Sequence, residues 1–249
     1  MESFELRQKN ILVTGASSGI GRATAIECAK AGANLILTGR DTDRLDQTSD
    51  EARQEGVEVL SIALDLTSDS LDEFINSLPT LDGAAFCHGI TQTAPVQFTS
   101  KENLERILDI NFISVADTIR RLLKKKKFKK GASIVALSSV LGTECFMTGN
   151  AGYGVSKAAL ESFIKYCALE YATKGIRFNV ILPGGIETPM VNIDSIPEEF
   201  MIEDKKKYPM KRYGQPVEIA YPVIFLLSEA SSFITGTSLT ADGGRSLVF

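Results

Sequence analysis

What the chain has little of narrows its chemistry first. It carries one histidine, His88, and four cysteines, Cys28, Cys87, Cys145 and Cys167, with no CxxC pair. Such scarcity leaves no His/Cys/carboxylate cluster to hold a metal, so no metal cofactor is expected. Widely spaced cysteines read as reduced thiols and small buried hydrophobes, neither a disulfide framework nor a zinc site. No apolar run approaches the roughly 18 residues of a membrane span. The N-terminal MESFELRQKN is charged and lacks an apolar h-region, so no signal peptide is expected. A cytoplasmic protein follows as the expectation. Positive charge is short as well: 27 basic against 31 acidic side chains give a net charge of −4, which argues against nucleic acid as the main partner.

What is present is a strong alternation. Apolar runs at 10–14, 34–38, 57–64, 83–87, 132–137, 177–182 and 237–241 read as strands. Amphipathic stretches near 19–31, 42–55, 68–77, 100–127, 152–173 and 216–227 read as helices between them. Strands and helices alternating at this spacing give βαβ units and a parallel sheet covered on both faces. Right-handed crossovers then predict a doubly wound, Rossmann-like α/β fold of about seven strands, with residues 1–249 as one domain. Residues 188–214 break the rhythm with three prolines and dense charge; they follow a strand, at the end where such sheets bind ligands, and read as a substrate lid. The lysine run KKKKFKK at 124–130 reads as a solvated helix C-terminus that complements the helix dipole.

The first strand runs into TGASSGIG, residues 14–21, and straight on into a helix. Gly15, Gly19 and Gly21 permit a tight turn and close approach of backbone to a ligand. The backbone of Ser17, Ser18 and Ile20 shares that turn, and the N–H groups of the new helix favour an anion such as a dinucleotide pyrophosphate. At the end of the second strand stands TGRD, where a dinucleotide fold uses a carboxylate for a free ribose 2′-OH or an arginine for a 2′-phosphate. Gly39 holds the strand end and Arg40 follows, so the sequence favours NADP(H) over NAD(H). Asp41 and Asp43 are alternative partners for Arg40, or caps for the next helix. Asp65, or the backbone of Leu66 beside it, ends the third strand and reaches the adenine; capping the helix after Thr67 is the other reading.

TGASSGIG, Asn111 in DINF, the serines of ALSSVLG, YGVSK at 153–157 and PGGIETPM at 183–190 stand in the order of the short-chain dehydrogenase/reductase family, which the chain resembles over essentially its whole length. The tail from MKRYGQPVEIA to TADGG resembles 3-oxoacyl-carrier-protein reductases and related secondary-alcohol dehydrogenases. The resemblance implies a hydride transfer between a nicotinamide dinucleotide and a carbonyl or secondary alcohol. By the same resemblance Tyr153 is the general acid/base, Lys157 also holds the nicotinamide ribose, and Ser139, with Ser138 as its rival, binds the reacting oxygen. Asn111 is the helix-kinking residue that places a water for proton relay. Gly89, Pro183, Ile186 and Thr188 approach the cofactor, Thr188 bonding its carboxamide. A homotetramer or homodimer is also implied by resemblance.

Residues four apart on a helix share a face, and an ammonium ~4 Å from a phenolate contributes up to ~4 kcal/mol at an effective dielectric near 20. That equals about three pKa units, so the sequence predicts a Tyr153 made more acidic by Lys157. One departure stands out: many family members have Asn-Ala-Gly after the fourth strand, and this chain has Cys87-His88-Gly89. His88, beside the adenosine ribose, is expected to pack or hydrogen-bond rather than act as a base. Three alternatives stay open: a 3-oxoacyl-carrier reductase with a basic patch at Lys124–Lys130 or Lys205–Arg212, a sugar or steroid alcohol dehydrogenase, and a dinucleotide-binding regulator without turnover.

Overall fold

The computed structural model describes residues 2–68, 70–189 and 198–248. Seven parallel strands form one sheet: β1 (Asn10–Thr14), β2 (Asn34–Gly39), β3 (Val59–Ala63), β4 (Leu81–Phe86), β5 (Phe128–Leu137), β6 (Arg177–Pro183) and β7 (Ser238–Ala241), in the order β3-β2-β1-β4-β5-β6-β7. The helices are α1 (Gly19–Lys30), α2 (Thr42–Arg53), α3 (Leu71–Ser77), α4 (Lys101–Leu108), α5 (Ser114–Lys124), the short α6 (Val140–Thr143), α7 (Ala151–Tyr171), α8 (Glu198–Lys206) and α9 (Pro216–Leu227). Each expected strand is present, and the sheet is doubly wound as its alternation predicts.

The strands are apolar on both faces because each face has its own layer to meet. In β1, Leu12 packs into one core with Ile119, Leu160 and Ile164 of α5 and α7; Ile11 and Val13 turn to the other, with Ala25, Cys28 and Val223 of α1 and α9. Strand order reverses between β1 and β4, whose ends pair as Thr14 with Phe86. A crevice opens at such a reversal, outside the carboxyl ends of the strands.

Three differences from the sequence pattern have plain causes. The long helix expected over 100–127 is three pieces, because a π-turn, Asp109–Ile113, interrupts it. It also stops early: Lys126 has φ 52°, and β5 begins at Phe128. The lysine run is therefore part helix end, part turn and part strand. Lys125 pairs with Asp72, Lys129 with Asp82, and Lys127 donates to the carbonyls of Asn76 and Leu78. Within one chain this run sits at the amino ends of the strands, away from the crevice. Of the region read as a lid, residues 190–197 lie outside the described residues, and 198–206 form α8. The described part is tied down, since the Gly185 N–H donates to the Tyr208 hydroxyl and Lys205 pairs with Glu187. Among the described residues no helix is long and apolar enough to cross a membrane, and no group of three metal-ligating side chains occurs.

Candidate active site

The crevice is a cleft of about 270 Å³ over the carboxyl ends of β1, β2 and β4. Gly15, Ser17, Ser18, Gly19, Ile20 and Gly21 form one wall. Gly15 and Gly19 have φ of +67° and +54°, a region that side chains strain to enter. A Cβ on Gly21 would stand 2.2 Å from the Gly15 carbonyl oxygen, so only glycine lets α1 start this close to β1. Ser18, the cap of α1, makes no side-chain cap bond, which leaves the first-turn amides of the helix for an anion. The donor set fits a dinucleotide pyrophosphate.

At the end of β2, a Cβ on Gly39 would meet the Ser17 hydroxyl at 3.1 Å, so there is little space for a carboxylate there. Arg40 is exposed and lines the cleft, with no hydrogen bond or ion pair among the described residues. Its expected rival partner is otherwise engaged. Asp41 caps α2 by accepting from the Arg44 N–H at 3.0 Å and from the Arg44 guanidinium at 2.6 Å, which holds its carboxyl below the usual range. Arg44, a cleft residue that the sequence reading missed, faces the site from the first turn of α2. Asp65 and Leu66 line the cleft. The Asp65 carboxylate does not cap the next helix: Oδ1 accepts from the Thr67 N–H and hydroxyl within its own turn, and α3 begins at Leu71 with Ser70 as its cap. Thr188 also reaches the cleft, its methyl 3.3 Å from the Cβ position of Gly19. Pro183 ends β6 and is buried; Ile186 is buried and bridges to Gly214.

Beyond this cleft Ser139, Tyr153, Lys157 and Asn111 come together. Ser139 caps α6, its hydroxyl accepting from the Leu141 N–H at 3.2 Å, so its own hydrogen remains to be donated. Ser138 is excluded as its rival, since its hydroxyl donates to the Lys157 carbonyl at 2.8 Å and is buried. Helix α6 lies so close to α7 that a Cβ on Gly154 would stand 2.5 Å from the Leu141 carbonyl oxygen. That contact explains the glycine after Tyr153. Lys157 is 4% exposed and donates to the Leu137 carbonyl at 2.7 Å, with its Nζ 5.9 Å from the Tyr153 ring centre. Gly89 joins the two halves of the site: a Cβ there would meet Asn111 Oδ1 at 3.1 Å and Lys157 Nζ at 3.4 Å.

The chain is similar to known proteins over nearly its whole length. A family model described as enoyl-(acyl carrier protein) reductase matches residues 15–246. A 3-oxoacyl-[acyl-carrier-protein] reductase of Aquifex aeolicus is 34% identical, over 97% of this chain and 98% of its own length. The chain belongs to the short-chain dehydrogenase/reductase family. Among solved structures, levodione reductase superposes with a TM-score of 0.92 at 28% identity, covering 98% of this chain and 99% of that one. A chain described as a candidate NAD(P)-dependent gluconate 5-dehydrogenase of Beutenbergia cavernae, with NADP bound at low occupancy, gives 0.88 at 27% identity and 98% coverage of both. As a short-chain dehydrogenase/reductase, this protein is an oxidoreductase that moves hydride between a nicotinamide dinucleotide and alcohol or carbonyl groups.

One expectation for this short-chain dehydrogenase/reductase is corrected. Tyr153 is not acidified by Lys157 within the protein alone. Desolvation pushes its phenol above the ordinary value, and only the Ser139 hydroxyl beside it pulls the other way. Two physical reasons account for this. Burial of the phenol penalises the phenolate, and the ammonium is turned to the Leu137 carbonyl at 2.7 Å, with its Nζ 5.9 Å from the ring centre. Asn111 lies in the π-turn that breaks the helix, as expected of a helix-kinking residue. Oδ1 accepts from the Ile90 N–H at 2.7 Å, and Nδ2 donates to the Ile90 carbonyl and the Ser156 hydroxyl. Its side chain is a clasp.

Proposed function

We propose that the protein is an NADP(H)-dependent carbonyl reductase and secondary-alcohol dehydrogenase in which Tyr153 exchanges the proton. The observation that carries this reading is Arg40, exposed in the cleft with no hydrogen bond or ion pair among the described residues, while Gly89 of the same cleft lies against Lys157. A guanidinium with no hydrogen bond or ion pair among the described residues suits the 2′-phosphate that distinguishes NADP from NAD, and the NADP-bound neighbour supports the same choice. Bound, the dinucleotide would supply or accept the hydride at nicotinamide C4.

The chain's own groups handle the rest. The Ser139 hydroxyl donates to the carbonyl oxygen as it gains charge. Tyr153, held protonated by desolvation, is poised as the general acid of ketone reduction. Lys157 holds the ribose hydroxyls and adds a cation beneath the phenol when protonated. Asn111 fixes the backbone of Ile90 and of the π-turn, so any relay of the proton passes by backbone groups there. We place the protein in the cytoplasm as a homotetramer or homodimer.

A free ketone or secondary alcohol is favoured over a carrier-borne one, because the cations of Lys205–Arg212 are spent locally. Lys205 pairs with Glu187, Lys206 with Glu203, Lys207 with Asp204 and Arg212 with Glu218, while Lys211 donates to the Lys206 carbonyl. NADPH consumption across a panel of free ketones and an acyl-carrier substrate tests the reading, with Tyr153→Phe as its sharpest arm. That variant is expected to lose about 10²–10⁴-fold in kcat while binding NADPH as before. Unchanged turnover in Tyr153→Phe removes the mechanism. Dinucleotide binding without any turnover in the native chain turns it into a regulator.

A further inference from the structure

One partly buried titratable side chain has no part in the reaction above. The His88 ring lies between the end of β1 and the head of α5. Its Nδ1 is 2.7 Å from the Thr14 hydroxyl and its Nε2 is 2.9 Å from the Ser114 hydroxyl. The neighbours decide which nitrogen carries the hydrogen. Thr14 Oγ1 accepts from the Cys87 N–H at 3.1 Å, so its own hydrogen goes to Nδ1. Nε2–H then donates to Ser114, whose hydrogen passes to the Ile110 carbonyl at 2.8 Å. Every donor and acceptor in this row is used, in one direction only. A doubly protonated ring would break the row at Thr14, and desolvation already holds His88 down at about 3.

The far end of the row is the π-turn. The Ser114 N–H reaches back to the Asp109 carbonyl, and its hydroxyl holds Ile110, the residue before Asn111. Asn111 in turn clasps Ile90, two residues past His88. Two bridges thus join the segment after β4 to the same irregular turn of helix.

We propose that His88 is a positioning residue: through Ser114 it fixes the π-turn, and thereby where Asn111 and the segment from Gly89 stand against Lys157. The proposal rests on the catalytic reading above for its effect on turnover, though not for the bridge itself. It explains the departure Cys87-His88 from the family's Asn-Ala. A ring with nitrogens on opposed edges spans from β1 to α5, a strand-to-helix bridge that an alanine cannot make. It also separates His88 from a base, because both ring nitrogens are engaged and no lone pair faces a substrate.

The test is a double-mutant cycle of His88→Ala and Ser114→Ala in the full chain. It has three readouts: amide hydrogen exchange across 109–115, NADPH affinity by fluorescence titration, and kcat with the best ketone of the panel. Each single variant is expected to speed exchange in that turn by about tenfold and lower kcat by a similar factor. NADPH affinity should stay within about threefold and ketone KM should hold, while the double variant is no worse than either single one. Independent losses in the double variant overturn the proposal. So does a kcat loss without faster exchange, or an effect confined to NADPH affinity. Should the native chain turn over no ketone, the catalytic reading fails alone, and the exchange cycle still decides whether the bridge exists.

Discussion

The two edges of the sheet treat positive charge in opposite ways. At the amino edge several cations are engaged by their surroundings. Lys9 pairs with Glu229, Lys125 with Asp72 and Lys129 with Asp82. Buried Arg177, at the start of β6, donates to the carbonyls of Leu226, Ser228 and Ile234 and to the Ser231 hydroxyl. At the carboxyl edge Arg40 has no partner among the described residues, Lys157 reaches one carbonyl, and the first-turn amides of α1 face the cleft. Density of charge therefore misleads, whereas unspent donors point to a ligand. Of the lysine run that catches the eye in the sequence, Lys125, Lys127 and Lys129 are tied into the scaffold, whereas the arginine of TGRD lines the cleft.

The strongest way to break that comparison is at Arg40. Arg40→Ala is expected to weaken NADPH binding by about 10–100-fold, the cost of losing a charge-assisted contact to phosphate. NADH binding should change by less than about threefold, since NADH lacks that phosphate. Arg44→Ala should cost less, because Asp41 shares that guanidinium. Titration of both dinucleotides against the native chain and each variant gives the answer. Equal losses for NADPH and NADH would return Arg40 to the scaffold class.

A smaller effect follows from Lys157, a buried cation at the carboxyl edge. Desolvation lowers it from 10.5 to about 8 in the folded chain. Between those two values the unfolded chain binds more protons than the folded one, so this group's contribution makes stability rise with pH across that window. Below about 8 its full penalty is present. The difference in melting temperature between the native chain and Lys157→Met should therefore move in the native chain's favour from about pH 8 to about pH 10. Melts of both proteins over that range read it directly, and an opposite slope would mean that the ammonium is not desolvated.

How far these features could be read in advance depended on whether they are local. β1 and its Gly-rich turn are written in adjacent residues, so TGASSGIG, α1 and the cleft wall were legible together. Tyr153 and Lys157 were legible as a pair by helical spacing, but the direction of the phenol's shift was not. It depends on burial and on the Leu137 carbonyl, which lies twenty residues before Lys157. The kink at Asn111 was expected from the family resemblance, whereas the clasp on Ile90 was not, because it joins residues far apart in the sequence. Arg44 had a signal that went unused: it stands three residues after the cap Asp41, in the helix turn nearest the strand end. The start of β5 was obscured by Lys129 and Lys130, whose charge suits the exposed beginning of that strand.

The weakest expected effect tests the amino edge itself. Lys129 meets Asp82 at 2.8 Å with 43% and 21% of the two side chains exposed, so solvent screens the pair. Asp82 has a second use, since Oδ2 also accepts from the Asn10 N–H at the start of β1. Removing the lysine thus leaves the carboxylate employed, and Lys129→Ala should lose no more than ~1 kcal/mol of stability and no turnover of a free ketone. The informative arm is the carrier-borne substrate. If Lys129→Ala slows that substrate while sparing free ketones, the amino edge takes part in recognition, and the division between spent and unspent cations has been drawn in the wrong place.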